Sequence, residues 1–330
     1  MCGRLTRTRR AGHTFSKCSV PFICFVRSKA QQDLLILNEK QRYKLRQTMA
    51  NRQAQNLYAL VFKIERTIPL GRRLYTVDIC CNENDEVCIS AVNSDGRCKV
   101  DRVKMFSPSG LYIAIKTNNW FTDFIYGTED SVFSQRTDDN RCYKIWPEAC
   151  VQEEDPTAFG SLPKQGFSPQ GLAFRKLGGF LICLWNNKVG QRSYGKVIVL
   201  DGNPNFQIFR DKNTPLYVCP TYIAENGNGD ICVSDVRAVV VTDAGGMLRF
   251  RYHGLSSDIF DPYGICCDSS CNIIVADMKN NKISLIDKDG AFLYHVTYEG
   301  MNMPRALCID EDDNMYVGEW DSDAVKVIKR

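Results

Sequence analysis

The sequence predicts an all-β fold, a ring of four-stranded blades of the β-propeller class. Three observations carry this expectation. Pro220, Pro262 and Pro304 recur at an interval of 42 residues. The acidic residues Asp235, Asp277 and Glu319 keep the same interval of 42. Between these marks the chain breaks into short apolar runs separated by Gly, Asn, Asp and Pro, the composition of strands and tight turns. Self-similarity at about 40–45 residues signals one blade per repeat. A propeller is a rigid scaffold that hosts unrelated functions, so fold and function are argued separately.

The clearest unit opens at Pro262. Gly264, Ile265, Cys266 and Cys267 read as its first strand, and Ser269 to Asn272 as a tight connection. Ile273, Ile274 and Val275 form the second strand, which ends at Ala276 and Asp277. After a polar turn, Ile283, Leu285 and Ile286 form the third strand, and Phe292, Leu293 and Val296 the fourth. The inner strands are almost continuously apolar, as strands covered on both faces are. Neighbouring units open at Pro220 and Pro304, and an earlier one at Pro169 with Gly171, 51 residues before Pro220. Ile79 to Asn82 with Val87 to Ile89 keep the apolar pattern without the opening Pro and Gly. A divergent blade is expected between residues 111 and 151, which brings the total to six. The last unit stops after its third strand, so Leu60 to Leu70 is expected to complete it, closing a domain over residues 57–330. Such closure removes an exposed sheet edge.

This pattern resembles the NHL repeat. The residues that carry the likeness are Pro262, Gly264, Ile265, Asp268, Val275, Ala276, Asp277, Asn281, Lys282 and Ile283. The resemblance spans about residues 58–330 and implies a six-bladed NHL-type β-propeller with a short N-terminal helix. NHL propellers often form the C-terminal part of tripartite-motif proteins. The resemblance therefore implies partner or substrate recognition in ubiquitin ligation, with any catalytic modules outside this chain. No C-x-x-C pair occurs, and the histidines are His13, His253 and His295. His13, Cys18 and Cys24 match no zinc-ligand spacing, so RING and B-box modules are not expected here.

Composition narrows the setting. A chain of 330 residues that is 44% hydrophobic buries a sizeable core. The 16 cysteines are distributed as strand residues rather than as a disulfide framework. Cys88, Cys183 and Cys232 hold equivalent second-strand positions, and Cys80, Cys266 and Cys308 equivalent first-strand positions. Cysteine there behaves as a small hydrophobe, so free thiols in a reducing, cytoplasmic compartment are expected. No apolar run approaches the ~20 residues that span a bilayer, so no membrane partner is expected.

Charge is unevenly spread. Residues 1–66 hold 14 Lys+Arg against 3 Asp+Glu, while the remainder holds 28 against 35. Residues 1–30 read as a basic, disordered tail. Residues 31–56 lack Gly and Pro and place Leu34, Leu35, Leu37, Leu45 and Met49 on a helix that fits the last turns of a coiled coil, a route to oligomerisation, though its heptad is too short to specify an oligomer.

Three kinds of site are weighed. Asn186, Asp235, Asp277 and Glu319 hold equivalent positions and offer the hard oxygens that a calcium-dependent, lactonase-like propeller uses. An acid that recurs blade after blade is more simply an acceptor for backbone N–H groups of the adjacent turn, so neither metal nor cofactor is expected. Tyr222, Tyr263 and Arg305 follow the opening prolines, and Arg237, Lys279 and Trp320 stand in loops expected on the same face. Aromatic rings with cations suit stacked RNA bases, but an acidic ring lacks the clustered cations that a phosphate backbone needs. Tyr, Trp and Arg are also the usual anchors of protein interfaces, which makes protein partners the leading expectation. No G-x-S-x-G, phosphate-cradling loop or H-E-x-x-H is present.

Overall fold

The computed structural model describes residues 59–71, 74–81 and 87–93, a series of strands between 102 and 154, and most of 167–330. The basic tail over 1–30 and the helix expected over 31–56 lie outside the described residues. Among the described residues the first strands are β1 (Ala59–Val61) and β2 (Ile64–Pro69). An antiparallel sheet follows in chain order: β3 (Leu74–Cys81), β4 (Val87–Asn93), β5 (Arg102–Ser107) and β6 (Gly110–Lys116). The next holds β7 (Phe124–Gly127), β8 (Val132–Gln135), β9 (Cys142–Trp146) and β10 (Val151–Glu154). Then come β11 (Ser168–Phe174), β12 (Phe180–Asn186), β13 (Tyr194–Leu200) and β14 (Gln207–Ile208).

The 42-residue interval governs the rest. It yields β15 (Tyr222–Glu225), β16 (Ile231–Asp235), β17 (Ala238–Thr242) and β18 (Leu248–Tyr252). It continues with β19 (Pro262–Cys267), β20 (Ile273–Asp277), β21 (Lys282–Ile286) and β22 (Phe292–Thr297). The last strands are β23 (Pro304–Ile309), β24 (Met315–Glu319) and β25 (Ala324–Ile328). Each sheet's first strand lies against the first strand of the next, from β3 to β7, β11, β15, β19 and β23, and β23 lies against β3. The chain is all-β and propeller-like. Among the described residues no helix is long and apolar enough to cross a membrane.

Burial explains the strand compositions. Every residue of β16, β17 and β20 is buried, whereas β18 alternates and turns Arg249 and Arg251 outward. Inner strands are covered on both faces by neighbouring sheets, and outer strands on one. The core therefore lies in layers between sheets. One cluster joins Ile182 and Leu184 of β12, Val239 and Val241 of β17, and Ile273 and Val275 of β20. Another joins Ile79 and Ile89 to Ala306 and Val325, across the meeting of the first and last sheets.

Leu60 to Leu70, read from the sequence as one strand, is two strands on two sheets. β2 pairs antiparallel with β25 and supplies the fourth strand there, with Ile68 opposite Val325. β1 pairs parallel with β22, and the Phe62 N–H donates to the Thr297 carbonyl at 2.8 Å. Phe62 and Ile64 pack among Ile283, Val296, Leu307 and Ile328, so apolar burial holds the step from one sheet to the next.

Small residues set how closely inner strands approach. A Cβ on Gly264 would lie 2.4 Å from the Arg305 carbonyl oxygen and 2.7 Å from the Leu307 nitrogen. A Cβ on Gly171, two residues after its own opening proline, would lie 2.3 Å from the Thr221 carbonyl oxygen. A side chain at either place collides with backbone, which does not yield cheaply.

His295 on β22 is 3% exposed, with its Nδ1 3.2 Å from the Ser284 hydroxyl. Burial lowers its pKa to about 4, with Lys282 adding to the effect. The unfolded chain protonates near pH 6.5, so the contribution of neutral His295 is complete above that pH and is lost as pH falls toward 4. Against a His295→Gln variant, the parent should lose on the order of 2–3 kcal/mol more stability between pH 6.5 and 4, read by urea unfolding at each pH.

Candidate functional site

The chain's two kinds of connection lie at opposite ends of the strands. Hairpins from first to second and third to fourth strands share one end. There the side chain of Asp268 accepts from the N–H groups of Ser270 and Asn272, and Asp310 accepts from those of Asp312 and Asn314. Asp243 and Asp287 close the other hairpins in the same way. These are Asx turns, self-satisfied and polar. Ion pairs bind them together: Arg249 reaches Asp230 and Asp289, and Arg330 reaches Asp268.

The other end is different. It carries the connections from second to third strands and from each sheet to the next. Here a buried acid ends the second strand and holds the incoming turn. Asp235 accepts from the Val218 and Cys219 N–H groups at 2.8 and 2.6 Å. Asp277 accepts from the Asp261 N–H at 3.1 Å and from the Asn280 amide. Glu319 accepts from the Asn302 N–H at 2.9 Å and from the Tyr298 hydroxyl at 2.8 Å. Burial pushes the Asp235 and Asp277 carboxyls up, and these donated hydrogen bonds oppose it. Among the described residues no three His, Cys, Asp or Glu side chains converge to hold a metal ion.

Arg305 organises the centre of this end. Its guanidinium carbon lies 4.3 Å from the Trp320 ring centroid and 6.0 Å from that of Tyr263. Its Nε donates to the Tyr222 hydroxyl at 3.2 Å. The Tyr222 hydroxyl in turn donates to the Val77 carbonyl at 2.6 Å, tying β15 to β3. The Tyr75 ring lies 6.3 Å from Trp320 at 24°, a stacked pair. Burial pushes the Tyr222 and Tyr263 phenols up, so both stay protonated at neutral pH.

Four residues singled out from the sequence thus meet: Tyr222, Tyr263, Arg305 and Trp320. Arg237 and Lys279 stand in the adjoining connections, Lys279 with its amine 3.8 Å from the Asp261 carboxylate. Arg237 has φ of 58°, and its carbonyl lies 3.1 Å from His253 Nδ1. Tyr222 needs a correction in register. By the 42-residue interval, Thr221 matches Tyr263 and Arg305, whereas Tyr222 matches Gly264 and Ala306, the inward position. That explains its burial. Tyr75 went unmarked because its unit has no opening proline from which to count.

Apolar surface gathers at the same end. Val218, Val236, Leu255, Ile259 and Trp320 are all exposed there, Trp320 at 37%.

No protein-family model matches the chain. Protein lin-41 of Caenorhabditis elegans is 34% identical over 85 residues, which is 25% of this chain and 7% of that protein. A catalytically inactive virginiamycin B lyase from Staphylococcus aureus, solved with quinupristin, superposes with a TM-score of 0.53 at 13% identity, over 81% of this chain and 88% of that one. A protein assigned as a gluconolactonase superposes with a TM-score of 0.59 at 14% identity, over 83% and 95%. The fold is that of a β-propeller. At such identities the structural neighbours speak to fold alone, and the match to Lin-41 covers a small part of either chain.

The acid at the end of the second strand has a measurable structural role. Asp277→Ala leaves the Asp261 N–H without its acceptor and the Asn280 amide with the Ile259 carbonyl alone. It should cost about 1–3 kcal/mol in urea unfolding while leaving the circular dichroism spectrum unchanged.

Proposed function

We propose that this chain is a six-bladed NHL-type propeller that recognises protein partners through the end carrying Arg305 and its aromatic ring of Tyr75, Tyr222, Tyr263 and Trp320. The observation that carries this reading is the contrast between the two ends. One is closed by Asx turns and ion pairs, and the other sets a rigid arginine–aromatic cluster among exposed Val218, Val236, Leu255 and Ile259. An apolar patch around Arg, Tyr and Trp has the make-up of an interface centre. A surface already held in place loses little entropy on binding. The six sheets in contact in sequence support the blade count. The 42-residue interval and the partial match to Lin-41, a tripartite-motif NHL protein, support the NHL assignment. On this reading the propeller selects substrates for tripartite-motif-type ubiquitin ligation in the cytoplasm.

The test is affinity capture with residues 57–330, as the parent and as the Arg305→Ala, Trp320→Ala double variant, with and without nuclease. Protein partners should withstand nuclease and fall at least tenfold with the double variant, whereas Met247→Ala at the opposite end should leave them in place. Partners lost to nuclease would replace this reading with RNA recognition. Partners retained by the double variant would move the binding surface elsewhere.

One other reading is a calcium-dependent hydrolase using Asn186, Asp235, Asp277 and Glu319, which rests on the equivalent positions of these oxygen-bearing side chains, while the lyase and gluconolactonase neighbours share the fold. Against it stand the backbone N–H groups that already occupy the three acids. The melting temperature should be the same in calcium and in chelator. A rise in calcium would favour the hydrolase.

A further inference from the structure

The first and last sheets meet along β3 and β23, and across that seam the Sγ atoms of Cys81 and Cys308 lie 2.9 Å apart. Both are free thiols, 227 residues apart in the chain. Each backbone is fixed by its own ladder, Cys81 opposite Val87 and Cys308 opposite Tyr316. The sulfurs therefore meet because the ring brings its first and last sheets together. We propose that Cys81 and Cys308 form a reversible cross-linking site that seals this seam covalently when the protein meets a peroxide.

Other thiol pairs are less open. Cys80 faces Cys88, and Cys267 faces Cys232, with Cys88 and Cys232 fully buried. Cys81 keeps part of its surface exposed and is where an oxidant arrives. The peroxide transfers one oxygen to the Cys81 sulfur, giving a sulfenic acid and one water. The Cys308 sulfur then attacks Cys81, the S–S bond forms, the S–O bond breaks, and a second water leaves. The two thiols together give up two electrons and two protons, and hydrogen peroxide becomes two waters. A closing movement of about 1 Å brings the sulfurs to bonding distance. The neighbouring Cys308 and burial hold the Cys81 thiol protonated, so the reaction should be slow at neutral pH and quicken in alkali.

The link would join strands at opposite ends of a long loop, where restricting the unfolded chain stabilises most. The Tyr75–Trp320 stack crosses the same seam, so sealing it also fixes the two parts of the aromatic cluster relative to each other.

The experiment treats the reduced full chain with hydrogen peroxide, blocks remaining thiols and maps peptides without reduction. The expected result is a linked Cys81–Cys308 peptide, about 2 Da lighter than its two parts. The melting temperature should rise by about 5 °C and return with dithiothreitol. Cys308→Ser should show neither the linked peptide nor the rise. Should that variant fail to fold, the parent's map decides alone. Linkage at Cys80–Cys88 or Cys232–Cys267 instead, or sulfinic acid without any link, would overturn the proposal.

Discussion

Everything at the end that carries Arg305 depends on one repeated interaction, a buried carboxylate accepting the backbone N–H groups of the turn that enters its own sheet. Asp235, Asp277 and Glu319 each end a second strand and hold the residues just before Pro220, Pro262 and Pro304. Burying a carboxylate is costly unless donors surround it, and orphaned N–H groups are costly as well. Each cost removes the other. The proline then fixes the backbone as it enters the first strand, and the next residues are delivered to the same height in each sheet. Without that anchoring, Tyr263 and Arg305 would have no common register from which to meet.

The two ends consequently have different chemistry. At the hairpin end, Asp side chains close their own turns, and Arg249 and Arg330 tie neighbouring sheets through Asp289 and Asp268. The turn-closing carboxylates there are satisfied within the molecule. At the other end the strand-ending acids Asp235, Asp277 and Glu319 are turned inward, and Trp320, Val218 and Val236 lie exposed around the half-buried Arg305, beside exposed Arg237, Glu299, Asp321 and Asp323. The acid positions thus serve a repeated structural need, and the proposed binding surface is built from the residues around them that do not repeat.

How much was legible from the sequence follows from this division. Strands β15 to β25 were readable because Pro, Gly and Asp punctuate them at a constant interval. Before them the marks are absent or displaced, so Tyr75, in the first sheet without an opening proline, could not be placed. Tyr222 was readable as an aromatic near Pro220, and the 42-residue interval sets it one residue beyond Thr221, a register that the ladder with β16 bears out. The division of Leu60 to Leu70 between two sheets was also invisible, because both halves have the same apolar, strand-like composition. Which sheet each half joins depends on where Phe62 and Ile64 find burial.

By itself the sequence determined the all-β class and the repeating unit, together with the turns where Asp, Gly and Pro dictate local geometry. Those are short-range properties, set by backbone preferences and apolar patterning within a few residues. Only the tertiary structure decided which distant residues meet. Arg305 reaches Trp320, Tyr263 and Tyr222, the Tyr222 hydroxyl crosses to Val77, and Cys81 comes to Cys308. These contacts span different sheets, and one sheet's position against another is set by the packing of whole apolar faces. No local pattern encodes that packing, since it is a property of the assembled ring.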